Sequence, residues 1–364
     1  MSIKRVGILT GGGDCTGLNA VIRSITRSAI IQHGASVIGF ECGFEGLVFD
    51  RTQSLTVHST RDILSFGGTI LGTSNKGNPF AFREFAGDGT VTTHDYSEKA
   101  IKNFKRMMID CLFVIGGDGT LQIAHQFQEK GIPVIGIPKT IDNDLEETDY
   151  TFGFQTAVQV ACDALDRLHT TGRSHQRVMI LEVMGRTAGW IALEAGIAGG
   201  AHIILIPEID YKVENLLEKI RYRIAGGSPY SIIMVAEGAR ELGGAEIKQE
   251  SGATRLQGVD QLGGVGYHLA NRIKNEIDLE VRCTVLGHIQ RGGSPNAFDR
   301  ILGTRLGSYA VAAASEGKFG NMVVLKTPDL VLVPLKDLAG KVRKVPLDSQ
   351  LIRSAEAIGI SFGR

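Results

Sequence analysis

Between positions 138 and 144 the chain reads Pro138-Lys139-Thr140-Ile141-Asp142-Asn143-Asp144. Two carboxylates, a hydroxyl and an amide follow directly on Ile132-Pro133-Val134-Ile135-Gly136-Ile137, a short apolar run with the character of a buried strand. Open α/β sheets hold their ligands at the carboxyl ends of strands, so these groups stand where chemistry is expected. A hydroxyl such as that of Thr140 can donate to a phosphoryl oxygen, and a carboxylate such as Asp142 can take a proton from an attacking alcohol. An Asp/Asn-rich turn capping the next helix would use the same residue types, and for this segment alone the two readings stand level.

Other stretches of the same character accompany it. Arg5-Val6-Gly7-Ile8-Leu9-Thr10 reads as a strand running into Gly11-Gly12-Gly13-Asp14-Cys15-Thr16-Gly17, and a helical pattern follows from Leu18. Strand, glycine-rich turn and helix is an arrangement in which backbone N–H groups approach a phosphate. No Lys-Ser/Thr follows, so this is not a Walker A loop, and a plain tight turn stays open. Gly67-Gly68-Thr69-Ile70-Leu71-Gly72-Thr73-Ser74-Asn75-Lys76 offers further amides and a cation. Cys111-Leu112-Phe113-Val114-Ile115 ends in Gly116-Gly117-Asp118-Gly119-Thr120. An aspartate among glycines there supplies a hard oxygen for a magnesium-linked phosphate, or simply completes a strand-to-helix turn.

Downstream, Ser174-His175-Gln176-Arg177 precedes a strand that ends in Met184-Gly185-Arg186. Ile232-Ile233-Met234-Val235 ends at Ala236-Glu237-Gly238, and Arg282-Cys283-Thr284-Val285-Leu286 leads into Gly287-His288-Ile289-Gln290-Arg291-Gly292-Gly293. Phosphoryl transfer depends mostly on positioning and charge neutralisation, and guanidinium forks match phosphate oxygens in a way lysine cannot. Arg177, Arg186, Arg282 and Arg291 at strand ends or loop mouths fit that use better than they fit solvated surface charge. His175 is read as structural.

The scaffold that must hold these groups alternates strand and helix throughout, which points to an α/β protein with parallel sheets flanked by helices. Apolar spacing predicts helices over 97–108, 153–169, 187–198, 213–224, 263–275, 296–315 and 350–357, and strands over 36–40 and 202–206. Residues 80–94 read as a hairpin or excursion. Beyond Lys326 the pattern weakens, and a docked C-terminal arm without chemistry is expected. The 364 residues suffice for two domains. With 39 basic and 39 acidic residues there is no global field to attract nucleic acid or an acidic membrane. Five scattered cysteines without a C-x-x-C pair argue for a reducing compartment and against zinc. No leader pattern and no apolar run near the ~20 residues of a membrane span occur, so a cytoplasmic protein is expected.

Taken together, the loops at 9–17, 116–120, 138–144, 174–177 and 184–186, Glu237 and the 282–293 block closely resemble the 6-phosphofructokinase family of the bacterial type, its mixed-substrate or ATP-dependent branch, in order and spacing. Thr-Ile-Asp-Asn-Asp and Gly-His-Ile-Gln-Arg-Gly-Gly carry most of the specificity. The resemblance implies two Rossmann-like lobes with the active site in the cleft between them. It gives an ATP-binding lobe of 1–152 plus about 290–340, a fructose 6-phosphate lobe of 153–289 plus the C-terminal helix, and a tail of about 341–364. It implies that Asp142 is the base toward the 1-hydroxyl of fructose 6-phosphate, that Thr140 and Arg186 stabilise the phosphoryl group in flight, and that Asp144 supports them. Ile141, Met184, Gly185, Glu237, Ile289 and Gln290 would contact the sugar, and Arg177, Arg282, His288 and Arg291 its 6-phosphate. Arg177 and Arg282 would come from a neighbouring subunit of a homodimer or homotetramer. Gly12, Asn75, Lys76, Gly117, Asp118, Gly119 and Thr120 would line the nucleotide phosphates, with Asp118 serving Mg2+.

Two positions in that resemblance bear on the donor. Gly119 is the ATP-type residue, whereas pyrophosphate users have an aspartate that fills the place of the α-phosphate; Lys139 is the pyrophosphate-type residue. An unpaired repulsion excludes a ligand while an added cation only attracts, so ATP is expected, with pyrophosphate as the alternative. A nucleotide-binding paralogue without activity would normally have lost the base or phosphate ligands, which are intact here. His169 and His202 stand where familiar bacterial relatives have an arginine and a glutamate in their effector pocket, so regulation by ADP or phosphoenolpyruvate is not expected.

Overall fold

Short runs of β-branched and aromatic residues form β1 (Arg5–Thr10), β2 (Ser36–Phe40), β3 (Thr52–Leu55), β4 (Phe82–Phe85), β5 (Val91–His94), β6 (Cys111–Gly116), β7 (Val134–Pro138), β8 (Val178–Val183), β9 (Ile203–Leu205), β10 (Ser231–Ala236), β11 (Val281–Val285), β12 (Asn321–Lys326) and β13 (Asp329–Pro334). Stretches with a 3.6-residue apolar period form α1 (Leu18–His33), α2 (Phe44–Phe49), α3 (Ser97–Arg106), α4 (Asp118–Glu129), α5 (Phe154–His175), α6 (Trp190–Ala198), α7 (Val213–Ala225), α8 (Val265–Lys274), α9 (Ala297–Ser315) and α10 (Gln350–Ala357). This computed structural model describes residues 3–85, 87, 90–244, 263–337 and 340–364. The chain divides into two units, one of residues 1–141, 145–156 and 291–341, the other of 142–144, 157–290 and 342–364.

Unit 1 is built on a seven-stranded sheet in the order β13-β12-β7-β6-β1-β2-β3. Its five inner strands run parallel, and β3 and β13 close the two edges antiparallel. Parallel strands are buried on both faces, which explains why β6 and β7 are apolar without alternation and carry no exposed residue. Phe40, Phe104, Leu112, Phe127 and Val134 share one core cluster, each such side chain contributing about 1.5–3 kcal/mol by burial. On α9, a Cβ on Gly307 would lie 2.9 Å from the carbonyl oxygen of Val21, so glycine allows this helix to touch α1. β4 and β5 form a separate antiparallel pair, in line with a hairpin in that stretch.

Unit 2 holds four parallel strands in the order β11-β8-β10-β9. Leu216 and Ile220 of α7 and Leu269 and Ile273 of α8 join Ile180, Ile203 and Ile233 in its core. The tail is fastened to this unit. Ser361 bridges in parallel to Ile203, and Lys212 N–H donates to the carbonyl of Gly363 at 2.8 Å.

Several boundaries differ from those read in the sequence. α5 continues to His175 instead of stopping at 169, because Gly172 is a contact and not a stop: a Cβ there would lie 2.9 Å from Met179. α6 begins at Trp190, not 187, with Gly189 in the N-cap position. The stretch after Lys326 is not without pattern, since β13 pairs with β12 along its whole length. Among the described residues no helix is long and apolar enough to cross a membrane.

Candidate active site

In unit 1 three turns meet at the carboxyl ends of β1, β6 and β7. Gly11 N–H donates to Ile115 O at 2.9 Å, Lys139 N–H to Gly116 O at 2.9 Å, and Gly12 N–H to Ser74 O at 3.2 Å. The hydroxyl of Thr73 returns a bond to Gly12 O at 2.6 Å. The side chain of Thr120 is wedged between two glycines: a Cβ on Gly11 or Gly116 would come within 2.6 Å or 2.3 Å of it. Thr120 is thus a packing residue through its side chain, while its backbone N–H stands in the first turn of α4. The leading amides of a helix have no carbonyl partner within it, and they attract anions.

Asp118 opens α4, and its Oδ2 accepts from Gln122 Nε2 at 2.7 Å. Gln122 orients this carboxylate and was not singled out in the sequence, though it lies one helical turn on. Among the described residues no group of three or more His, Cys, Asp or Glu side chains could hold a metal by itself. A single oriented carboxylate suits magnesium that arrives on a phosphate, since this ion takes one or two protein carboxylates and keeps substrate oxygens and water.

Cations flank the glycine loop. Lys139 is 4% exposed, and its Nζ donates to Gly13 O. Arg291 NH1 donates to Asp14 O at 3.0 Å, and a Cβ on Gly13 would lie 2.8 Å from the same NH1. Asn75 and Lys76 are exposed beside the loop. Gly119 differs from the neighbouring glycines: a Cβ there would meet nothing within 4 Å. Cys15 is buried and its thiol is pushed up to about 12, chiefly by that burial, so it is no nucleophile. Thr140 O accepts from the Thr151 hydroxyl at 2.7 Å, which fixes the backbone at the end of β7. Ile141 is fully buried, so any contact it makes to a ligand is through its backbone.

In unit 2 a second set gathers at the carboxyl ends of β8 and β10. Met184 N–H donates to Gln290 Oε1 at 2.8 Å, and Gln290 is fully buried. Glu237 N–H donates to Val183 O at 2.9 Å and Gly238 N–H to Gly185 O at 3.1 Å. A Cβ on Gly238 would lie 2.0 Å from Arg186 O, so glycine there lets the Glu237 turn close on the 184–186 turn. Arg186, His288 and Ile289 are exposed. The segment 142–144 belongs to this unit, with Asn143 buried in a left-handed conformation at φ 52°. Arg343 N–H donates to Asp144 O at 2.9 Å.

Arg177 and Arg282 are not brought to this set. Arg177 precedes β8 and Arg282 lies opposite Met179, so both stand at the amino ends of the strands. The length of β8, roughly 20 Å, separates them from Met184 and Arg186 in the same chain. Both arginines bind the carboxylate of Glu280, one to each oxygen. The pair is therefore held together as a cationic group around one anion.

The phosphofructokinase family model matches residues 5–314. The chain belongs to this family. A relative from Clostridium perfringens described as ATP-dependent 6-phosphofructokinase 2 is 48% identical over 361 residues, covering 99% of this chain and 98% of that one. Another from Amycolatopsis methanolica, described as pyrophosphate--fructose 6-phosphate 1-phosphotransferase, is 48% identical over 343 residues and covers 94% and 96%. The solved phosphofructokinase of Saccharomyces cerevisiae superposes with a TM-score of 0.77 at 29% identity, covering 92% of this chain; this chain spans 45% of that one. The chain is thus equally identical to two relatives named for different phosphoryl donors.

Proposed function

We propose that the chain is an ATP-dependent 6-phosphofructokinase of glycolysis, moving the γ-phosphoryl group of Mg-ATP to the 1-hydroxyl of fructose 6-phosphate. Asp142 takes the proton of that hydroxyl as its oxygen attacks the γ-phosphorus. The bond to the β-phosphate breaks, and ADP leaves with fructose 1,6-bisphosphate. Unit 1 holds the donor through the amides of Gly12, Gly117, Asp118, Gly119 and Thr120 and through Asn75 and Lys76, with Asp118 serving the magnesium. Thr140 and Arg186 neutralise charge on the moving group, and Asp144 keeps the base in place. Unit 2 holds the sugar through Met184, Gly185 and Glu237 and its phosphate through His288. Arg291, fixed to the loop that faces the donor, completes that phosphate grip with Ile289 and Gln290 beside it.

The observation that carries this reading is that the 142–144 segment belongs to unit 2, tied there through Asp144 O and the Arg343 N–H, and that the same unit bears Met184, Arg186 and Glu237. A base has to travel with the alcohol it deprotonates. Arg177 and Arg282, a strand's length away, serve the active site of a neighbouring copy in a homodimer or homotetramer. For the donor, the open space at Gly119 supports ATP, because among the described residues nothing lies within 4 Å of the place a Cβ would take there. The presence of Lys139 favours pyrophosphate as a second reading, but its Nζ is already turned to the Gly13 carbonyl. Steady-state turnover of fructose 6-phosphate with Mg-ATP against Mg-pyrophosphate separates the two, and activity confined to pyrophosphate refutes the proposal. Asp142→Ser is expected to lower kcat by about a thousandfold while fructose 6-phosphate still binds. Undiminished turnover removes the base assignment.

A further inference from the structure

The C-terminal tail returns to unit 2 at residue 342, and its first residues make contacts unlike those of a passive arm. Arg343 N–H donates to Asp144 O at 2.9 Å, and Arg343 O accepts from the indole Nε1–H of Trp190 at 3.0 Å. The Arg343 guanidinium lies 4.5 Å from the centre of the same indole ring. Two residues on, Val345 N–H donates to Glu208 Oε1 at 2.8 Å. The same carboxylate accepts from Gly189 N–H, at 3.1 Å and 3.2 Å to its two oxygens. Trp190 and Val345 are buried, so the bonds they donate do not compete freely with water.

Trp190 is the first residue of α6 and stands four positions after Arg186. A single tail residue therefore joins the segment that bears Asp142 to the helix that follows Arg186. Glu208 secures both ends of that join, through Gly189 on the helix and Val345 on the tail. Asn143, between the two aspartates, holds a left-handed backbone, a conformation that β-carbon sterics disfavour and that surrounding contacts must maintain. Misplacing a reacting group by an ångström is enough to cost a large factor in rate.

We propose that Arg343 is a positioning residue for phosphoryl transfer: its main-chain N–H and C=O, clamped by Trp190 and Glu208, set Asp142 in register with the 184–186 turn. This rests on Asp142 being the base. The tail acts through the 142–144 backbone.

The test compares the full-length enzyme with Trp190→Phe, which keeps an aromatic ring under the guanidinium but removes the indole donor, and with Arg343→Pro, which removes the N–H to Asp144. For each, kcat and both KM values are measured per folded protein. Trp190→Phe is expected to lower kcat about three- to tenfold, the effect of one misplaced buried hydrogen bond, with both KM values within about twofold. Arg343→Pro is expected to lower it further with the same split. An unchanged kcat in Trp190→Phe, or a rise in KM at constant kcat, overturns the positioning role, and that variant decides the matter even where Arg343→Pro does not fold. Asp142→Ser run alongside separates the two ideas. Loss of turnover there with full kcat in Trp190→Phe sinks the tail's role alone, whereas retained turnover in Asp142→Ser sinks the base assignment.

Discussion

Lowering the pH from 7.5 to 5 should weaken unit 2 through one imidazole. His202 precedes β9, and its Nδ1 accepts from Ile232 N–H at 2.9 Å, so the ring is neutral and carries its proton on Nε2. It stands edge-on to His169 and Tyr230, and the Arg223 guanidinium lies over the Tyr230 ring. Burial first, and then Arg223, His169 and Lys219, hold its pKa down at about 3 from an ordinary 6.5. The unfolded chain then binds a proton over a range in which the folded one does not. The stability His202 contributes is complete above pH 6.5 and drains away as pH falls toward 3. At pH 5 the loss is about 2 kcal/mol for the full shift, and nearer ~1 kcal/mol once the ring's partial exposure is allowed for. Urea unfolding followed by the fluorescence of Trp190, the chain's single tryptophan and part of unit 2, reads this directly. In His202→Asn the amide oxygen replaces Nδ1 as acceptor and cannot titrate, so its loss between pH 7.5 and 5 should be smaller by that amount. Equal losses in both proteins would refute the argument.

Gly119→Asp should leave the thermal midpoint within about 2 °C, since its side chain meets open space, yet lower kcat/KM for Mg-ATP about a hundredfold by repelling the donor's phosphates, as measured in coupled assays. Mixing Asp142→Ser with Arg282→Ala copies after dissociation and reassembly should restore roughly a quarter of wild-type activity if each site takes its arginine from a neighbour, and none if it does not. Asp299→Ala should lower unit 1 stability by about 1–3 kcal/mol in calorimetry, because the buried Asp299 carboxylate accepts from both the N–H and the hydroxyl of Thr156.

The α/β architecture was legible because its strands are buried on both faces and therefore appear as unbroken apolar runs, as with β6, β8 and β10. The helix at 350–357 was legible from its amphipathic spacing. β12 and β13 were not, because Pro328 and the flanking charges mask an antiparallel edge that pairing alone specifies. The glycine turns at 11–17 and 116–120 could be read locally, since strand, turn and helix follow one another in the chain. What Arg343, Glu208, Gln290 and Trp190 do could not be read. Their partners lie 19 to about 200 residues away in the sequence, and a lone tryptophan or glutamate carries no spacing signal. Similarly, the pairing of Arg177 with Arg282 on Glu280 depends on β8 and β11 being neighbours in the sheet.

The chain passes from one unit to the other at 141/142, 144/145, 156/157, 290/291 and 341/342. No single cut can release either unit as one continuous fragment. On the ribosome the seven-stranded sheet lacks its β12–β13 edge until position 334 has been made, and β9 waits for Ser361. Unit 1 thus cannot be complete before residue 341 has been made, nor unit 2 before the tail that follows it, and a product that stops short of 341 contains neither of them whole.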